Sequence, residues 1–305
     1  MEPIDLIRQG KIKRFFRATR KLNVPNLVFH ITQRAAGKEP LFIEDSDYLF
    51  MLGLMKQISQ NRSLNMYAFC LMPNHLHLLF SPDNANLYDT MRDLFSKYAR
   101  NFNRKYERKG HLFGGPYRQA VCLDDSYLLA ASLYIHLNPV KAGLAADPLS
   151  YRWSSCRLYC DRGVDKSFVD PNFILDLLSK NVGPKEEYRL LLQRGRDLEV
   201  GQVSEQEDTI DRFRSKLASL FPSAFSKLTR RKQVLDQSGI DLLSVEKLEE
   251  LIEQERNRRT RSTPESRKAK KYLVEQLIAR GYKQTEIAEK LGVSRKTIYN
   301  ILKTQ

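Results

Sequence analysis

The sequence predicts an α+β protein: a mixed strand-and-helix domain first, then an all-α region ending in a basic helical pair. Three observations carry this. Between residues 27 and 123, short apolar runs with period-two alternation are separated by longer segments of helical apolar spacing. From about residue 161 onward only the helical pattern remains. Charge is also uneven: Gln254 to Gln305 holds 14 Lys/Arg against 5 Asp/Glu, which is +9 of a net +15.

Composition narrows the function classes. A chain of 305 residues with 42% hydrophobic residues can build two domains with real cores. No run of about 18 apolar residues exists, so no membrane span is expected. The N-terminus shows no apolar core of a secretory signal. Cys70, Cys122, Cys156 and Cys160 are too scattered for a zinc site and read as reduced thiols. A cytoplasmic, nucleoid-associated protein is expected. A net charge of +15 favours a polyanionic partner, most often nucleic acid.

Residues 1–21, with seven Lys/Arg against two acids, read as a basic, partly ordered arm. Leu27–Thr32 reads as a strand after the Val24-Pro25-Asn26 turn. Asp45 or Ser46 caps a helix to about Gln60, with Tyr48, Met51, Leu52, Met55 and Ile58 at helical spacing. Met66–Cys70 is a second strand. Leu71–Phe80 is a third, with Pro73 near the junction, and the two are expected to pair.

Leu87–Tyr106 is a helix with an apolar face (Leu87, Met91, Leu94, Phe95, Tyr98, Phe102) and a basic one (Arg92, Lys97, Arg100, Arg104, Lys105). Those charges alone fit a solvated face. The glycine-rich run Gly110–Arg118 lacks phosphate-cradling spacing. Gln119–Leu123 is a short strand, and a helix capped by Asp124, Asp125 or Ser126 runs through Leu137, ended by Pro139 and Gly143. The order β-α-β-β-α-β-α contains a ferredoxin-like split βαβ arrangement. Beyond it, helices are expected at Pro171–Asn181, Lys185–Glu199, Glu205–Leu220 and Val245–Arg258.

Two constellations carry chemistry. In the third strand, His75 and His77 are two apart and project from one face. That spacing suits metal ligation or proton transfer, and equally an ordinary strand with two half-exposed histidines. On the last helix of the first domain, Tyr134 and Asn138 stand at i and i+4 and share a face. A phenol can be a nucleophile and an amide oxygen a third ligand. Tyr134 is as readily a core aromatic, and Tyr98, Tyr117 and Tyr127 are rival nucleophiles. His30, His111 and His136 have no defensible ligand role.

The C-terminus reads as a helix, Tyr272–Ala279, closed by Gly281, and then a helix-turn-helix. Thr285 caps a short helix, small Ala288 permits close crossing, and Gly292 makes the turn. Ser294 caps a recognition helix in which Ile298 and Ile301 face the core. Ser294, Arg295, Lys296, Thr297 and Asn300 would then face DNA. The local charge argues against a plain packing unit.

Three stretches together carry a resemblance: Met72-Pro73-Asn74-His75-Leu76-His77, the loop Gly110-His111-Leu112-Phe113, and Tyr134-Ile135-His136-Leu137-Asn138-Pro139-Val140-Lys141-Ala142-Gly143-Leu144. They resemble the IS200-like, single-tyrosine HUH transposases, and within them the REP-associated tyrosine transposase branch. The likeness extends from Val28 to about Tyr159, including His30-Ile31-Thr32-Gln33-Arg34 and Trp153-Ser154-Ser155. The resemblance implies that His75, His77 and Asn138 bind a divalent metal, Mg²⁺ or Mn²⁺. It implies that Tyr134 attacks a single-stranded DNA phosphate to leave a 5′-phosphotyrosine. Hairpin-forming repeat DNA is the implied substrate. Arg34, Arg92, Lys97, Arg100, Arg104 and Arg118 would grip the backbone, while the helix-turn-helix reads duplex DNA. Two departures bear on DNA contacts: Arg34-Ala35-Ala36-Gly37 stands where relatives have Arg-Gly-Asn, and Pro116 stands where they often have a basic residue.

The expected organisation is a catalytic domain over 1–160, a helical connector over 161–263 and a helix-turn-helix over 264–305, as monomer or homodimer. The competing reading is a non-catalytic, sequence-specific DNA-binding regulator derived from a transposase. A two-histidine phosphoesterase would need two His-x-Thr motifs, and the chain has one, His30-Ile31-Thr32.

Overall fold

The computed structural model describes residues 15–16, 25–37, 39–61, 64–84, 86–122, 124–161, 167–178, 183–198, 209–222, 245–257 and 284–303, with short pieces near 224–228 and 267–277. Most of the expected basic arm and the helix at Tyr272–Ala279 lie largely outside the described residues. The chain divides into two compact units, Arg17–Gly239 and a second made of Met1–Phe16 with Ile240–Gln305. Among the described residues no helix is long and apolar enough to cross a membrane.

After a two-residue strand β1 (Phe15–Phe16), the elements run β2 (Phe29–Arg34), α1 (Asp45–Asn61), β3 (Leu64–Met72), β4 (His75–Pro82), α2 (Leu87–Lys105), β5 (Arg118–Val121) and α3 (Asp125–Lys141). Within Arg17–Gly239 the strands lie in the order β5-β2-β4-β3, all neighbours antiparallel. This is the split βαβ topology of an α+β fold. Leu71 and Met72 belong to β3, and Pro73-Asn74 is the two-residue turn of the β3–β4 hairpin rather than part of a strand. A turn suits Pro73, which has no N–H for a ladder.

The sheet is covered on both faces. On one, Phe95 of α2 meets Tyr117, the residue before β5, at 6.1 Å between ring centroids, and α1 packs beside α2. On the other lies α3, with Tyr134 against His77 of β4. Every residue of β4 is therefore buried. Behind α3 stands a helical layer: α4 (Cys156–Cys160), α5 (Asn172–Leu175), α6 (Pro184–Arg196) and α7 (Thr209–Leu220), of which α5, α6 and α7 touch α3 directly. The α5 helix stops well short of the expected Asn181, giving way to turns after Leu175.

Helix α3 is apolar nearly all round (Leu128, Leu129, Ala131, Leu133, Ile135, Leu137), which is what burial between two layers requires. All residues from Asp125 to Pro139 are buried. Asp124 caps it, accepting from Tyr127 N at 2.7 Å and worth about 1 kcal/mol. The helix does not stop before Pro139 as its sequence suggests. It runs to Lys141, and Pro139 sits in its last turn. The end is a Schellman closure: Leu144 N donates to Pro139 O at 2.8 Å, Gly143 N to Val140 O at 3.0 Å, and Gly143 takes φ 70°. Asn138 therefore stays in helical register with Tyr134.

The second unit contains α8 (Val245–Asn257), α9 (Gln284–Leu291) and α10 (Arg295–Lys303) around a core of Leu248, Leu273, Leu277, Ile287, Leu291 and Ile298. Gly292, at φ 65°, turns between α9 and α10. Ser294 Oγ accepts from Thr297 N at 3.1 Å and caps α10.

Candidate functional site

Strand register decides which side chains share the α3 face. His75 lies opposite Arg34 of β2 and Met72 of β3, and His77 opposite Thr32 and Cys70. Arg118 of β5 lies opposite Thr32. Directly opposed residues share a face, so His75, His77, His30, Thr32, Arg34 and Arg118 all belong to the side that α3 covers. The two imidazoles meet edge to face, their centroids 5.0 Å apart. The ring of Tyr134 stands perpendicular to His77 at 6.0 Å. Among its rivals, Tyr98 donates to Leu41 O and packs at a tilt against Phe42 and Phe102, and Tyr117 packs on Phe95. Tyr127 sits fully buried in the first turn of α3.

Hydrogen bonding separates the two nitrogens of each ring. His75 Nδ1 contacts Asn74 Oδ1 at 2.8 Å. An amide oxygen only accepts, so the proton is on Nδ1 and Nε2 carries the lone pair. His77 Nδ1 lies 2.9 Å from His30 Nε2 and 3.2 Å from Thr32 Oγ1. Among the described residues, His75 Nε2 and His77 Nε2 are both buried with no hydrogen-bond partner. Two orphaned, adjacent imidazole nitrogens whose opposite poles are anchored form a donor set that fits a divalent cation. Among the described residues no three His, Cys, Asp or Glu side chains form a metal-binding group. Asn138, almost fully buried, is one turn beyond Tyr134, and its Nδ2 donates to Tyr134 O at 3.3 Å, a bond that does not use Oδ1.

Burial keeps these imidazoles neutral. It pushes His75 down to about 4, with the nearby Arg34 charge adding to the effect. Burial lowers His77 well below the usual range, helped by His75, His30 and Arg34, and pushes His30 down to about 4. A neutral ring is the form that binds a metal.

The glycine-rich run straps the end of β2. Ala36 N donates to Leu112 O at 2.9 Å, Gly114 N to Arg34 O at 3.1 Å, and Gln33 Nε2 to Gly115 O at 3.1 Å. A Cβ on Gly114 would fall 2.8 Å from Ala35 O, so only glycine permits this approach. The strap fixes the backbone of Arg34, whose exposed side chain sits beside His75.

The other basic residues are elsewhere. Arg92, Lys97, Arg100 and Arg104 are exposed on α2, which packs on the opposite face of the sheet from Tyr134. Arg92 already pairs with Asp89 at 3.0 Å, and Arg104 donates to Asn101 at 3.1 Å. On α10 and its cap, Ser294, Arg295, Lys296 and Asn300 are exposed, while Thr297 is half-buried and tied to Ser294 at 2.9 Å. His136 faces away from the pair: it bonds Tyr188 OH at 2.7 Å and Ser155 Oγ at 2.8 Å, and Ser155 Oγ in turn accepts from Phe69 N of β3.

His30 has no ligand role legible in the sequence, yet it touches His77. The signal was present: His30 and Thr32 repeat the two-residue spacing of His75 and His77. Only the β2–β4 register shows that the two pairs meet.

Residues 23–138, a span that contains His75, His77, Tyr134 and Asn138, match the family model described as Transposase IS200 like. Residues 265–305 match the homeodomain-like family of helix-turn-helix domains. No curated protein matches the chain. Among solved structures, a REP-associated tyrosine transposase bound to a REP hairpin aligns with a TM-score of 0.42 and 13% identity, covering 51% of this chain and 94% of that one.

Proposed function

We propose that this chain, which carries an IS200-like transposase domain at residues 23–138 and a homeodomain-like domain at 265–305, nicks single-stranded DNA at hairpin-forming repeats and rejoins it through a 5′-phosphotyrosine. The observation that carries the reading is the ring of Tyr134 standing at 6.0 Å over His77, beside two buried imidazole nitrogens without partners.

His75 Nε2 and His77 Nε2 would hold Mg²⁺ or Mn²⁺, with Asn138 Oδ1 as the third protein ligand. When bound, the ion supplies charge neutralisation at a non-bridging phosphate oxygen. Tyr134 Oη attacks phosphorus and loses its proton, the P–O3′ bond breaks, and the departing 3′-oxygen takes up a proton. The product linkage is still a phosphodiester, so attack by a 3′-hydroxyl reverses the step without a nucleoside triphosphate. Arg34 and Arg118, on the same face of the sheet, would hold the phosphates that flank the cleaved one. The basic side chains of α2 lie across the sheet and would meet DNA further from the reacting bond. The exposed residues around α10 would read a duplex segment and deliver the nuclease to it.

The test is a covalent-adduct assay. Full-length protein is incubated with single-stranded hairpin oligonucleotides and Mn²⁺, then resolved on a denaturing gel. An adduct is expected with the wild type and none with Tyr134→Phe. His75→Ala should abolish cleavage. An adduct that survives Tyr134→Phe refutes the nucleophile assignment. Hairpin DNA bound without any adduct, at every metal tried, would favour a DNA-binding regulator instead.

A further inference from the structure

We propose that His30 is a positioning residue: its Nε2, 2.9 Å from His77 Nδ1, holds the His77 proton on Nδ1 and so presents the Nε2 lone pair to a divalent cation. The inference rests on the metal-dependent reading above and gives a task to a side chain that the reaction itself does not touch.

Three observations support it. First, the contact is built into the sheet. His30 and Thr32 are on β2, His77 is on β4, and Thr32 pairs with His77 in the ladder, so His30 reaches the ring diagonally. Second, the ring centroids are 5.1 Å apart with the planes 20° from parallel, so the two imidazoles lie nearly edge to edge along the hydrogen bond, which holds the His77 ring as well as its proton. Third, the contact is at the pole of His77 opposite to the orphaned Nε2. His30 therefore does not compete for the cation.

The chemistry follows from imidazole itself. A neutral ring has one N–H and one lone pair, and the bond made by one nitrogen decides which form the other takes. A histidine that ligates through Nε2 needs an acceptor at Nδ1, and such partners are usually carboxylates, carbonyls or waters. His75 uses the amide oxygen of Asn74. Among the described residues no carboxylate hydrogen-bonds His77, which uses a second imidazole, with Thr32 Oγ1 as a weaker alternative at 3.2 Å. His30 must then offer the lone pair of its Nε2 and carry its own proton on Nδ1.

The test uses full-length protein and two readouts other than activity. One is Mn²⁺ affinity, measured by electron paramagnetic resonance. His30→Phe keeps an aromatic ring but has no acceptor, and a loss of about tenfold to a hundredfold is expected. His30→Gln restores an acceptor oxygen and should recover most of that affinity. Binding of single-stranded DNA in EDTA should stay unchanged in both variants, which a general loss of structure would not allow. The other readout is the His77 tautomer in metal-free wild-type protein, from long-range ¹⁵N–¹H correlation. The proton is expected on Nδ1. Wild-type affinity for Mn²⁺ retained in His30→Phe overturns the proposal, and so does a His77 proton found on Nε2. Wild-type protein that takes up no Mn²⁺ overturns the metal reading, and the role of His30 falls with it.

Discussion

Helix α3 is tied at its N-terminus to the helical layer by one buried ion pair, and cutting it should cost several kcal/mol. Arg214 of α7 and Asp124, the cap of α3, are 6% and 2% exposed at their side chains. Arg214 Nη1 approaches both carboxylate oxygens at 3.4 Å, and its Nη2 meets Asp211 at 3.2 Å. Asp124 also accepts from Ser126 Oγ at 2.5 Å and from Tyr127 N at 2.7 Å.

Removing one partner of a buried pair strands the other charge, at roughly 3–5 kcal/mol. For Arg214→Met the cost falls near 3 kcal/mol, because Ser126 Oγ and Tyr127 N still donate to the carboxylate. Asp124→Asn keeps an acceptor for the cap and leaves Arg214 with Asp211, so about 2 kcal/mol is expected. The double variant leaves no unmatched charge at the cap of α3, and Asp211 loses its partner there just as it does in Arg214→Met alone. Its cost should fall short of the summed singles by at least about 1 kcal/mol. Urea unfolding followed by Trp153 fluorescence reads this directly: it is the chain's single tryptophan, buried in the unit that holds the pair. Additivity within about 0.5 kcal/mol refutes the coupling, and a loss under about 1 kcal/mol for Arg214→Met refutes the idea that the pair is buried and interdependent.

Two further outcomes are expected. His30 and His75, pushed down to about 4, and His136, pushed down to about 3, refuse protons that the unfolded chain accepts near 6.5. The unfolded state therefore binds more protons below pH 6.5, and stability falls on acidification through the window from 6.5 toward 4. At pH 5 each histidine withdraws on the order of 2 kcal/mol, so an unchanged urea midpoint between pH 7 and pH 5 without metal contradicts their burial. Deleting residues 264–305 should weaken binding to duplex DNA while leaving single-strand adduct formation in place. Loss of the adduct on that deletion would mean that the second unit serves the chemistry as well as targeting.

The fold was legible where local pattern and long-range packing agree. The alternation in β2 and β4, and the amphipathic spacing of α2, fixed both type and approximate bounds. The sequence erred where a neighbour overrode a local preference. Pro139 reads as a stop, but α3 is clamped between the sheet and the helical layer and closes only at Gly143. Leu71 and Met72 look continuous with the histidine strand, but Pro73 and Asn74 need a turn. Within the site, His75, His77, Tyr134 and Asn138 are each marked by short-range spacing. His30 is 47 residues from the ring it touches, and no local pattern reports that distance. The basic face of α2 shows the converse: its charge is plain in the sequence, but the side of the sheet on which it lies is not.

The burial of α3 sets how the protein can move during a reaction. A helix enclosed from Asp125 to Pro139 opens only with the core around it, so its amides belong among the slowest to exchange with solvent. The Tyr134 phenol rides on that enclosed helix. In the proposed reaction, adjustments within a turnover would then come from the DNA strand, which would bend to a stationary tyrosine at a rate its own deformability governs.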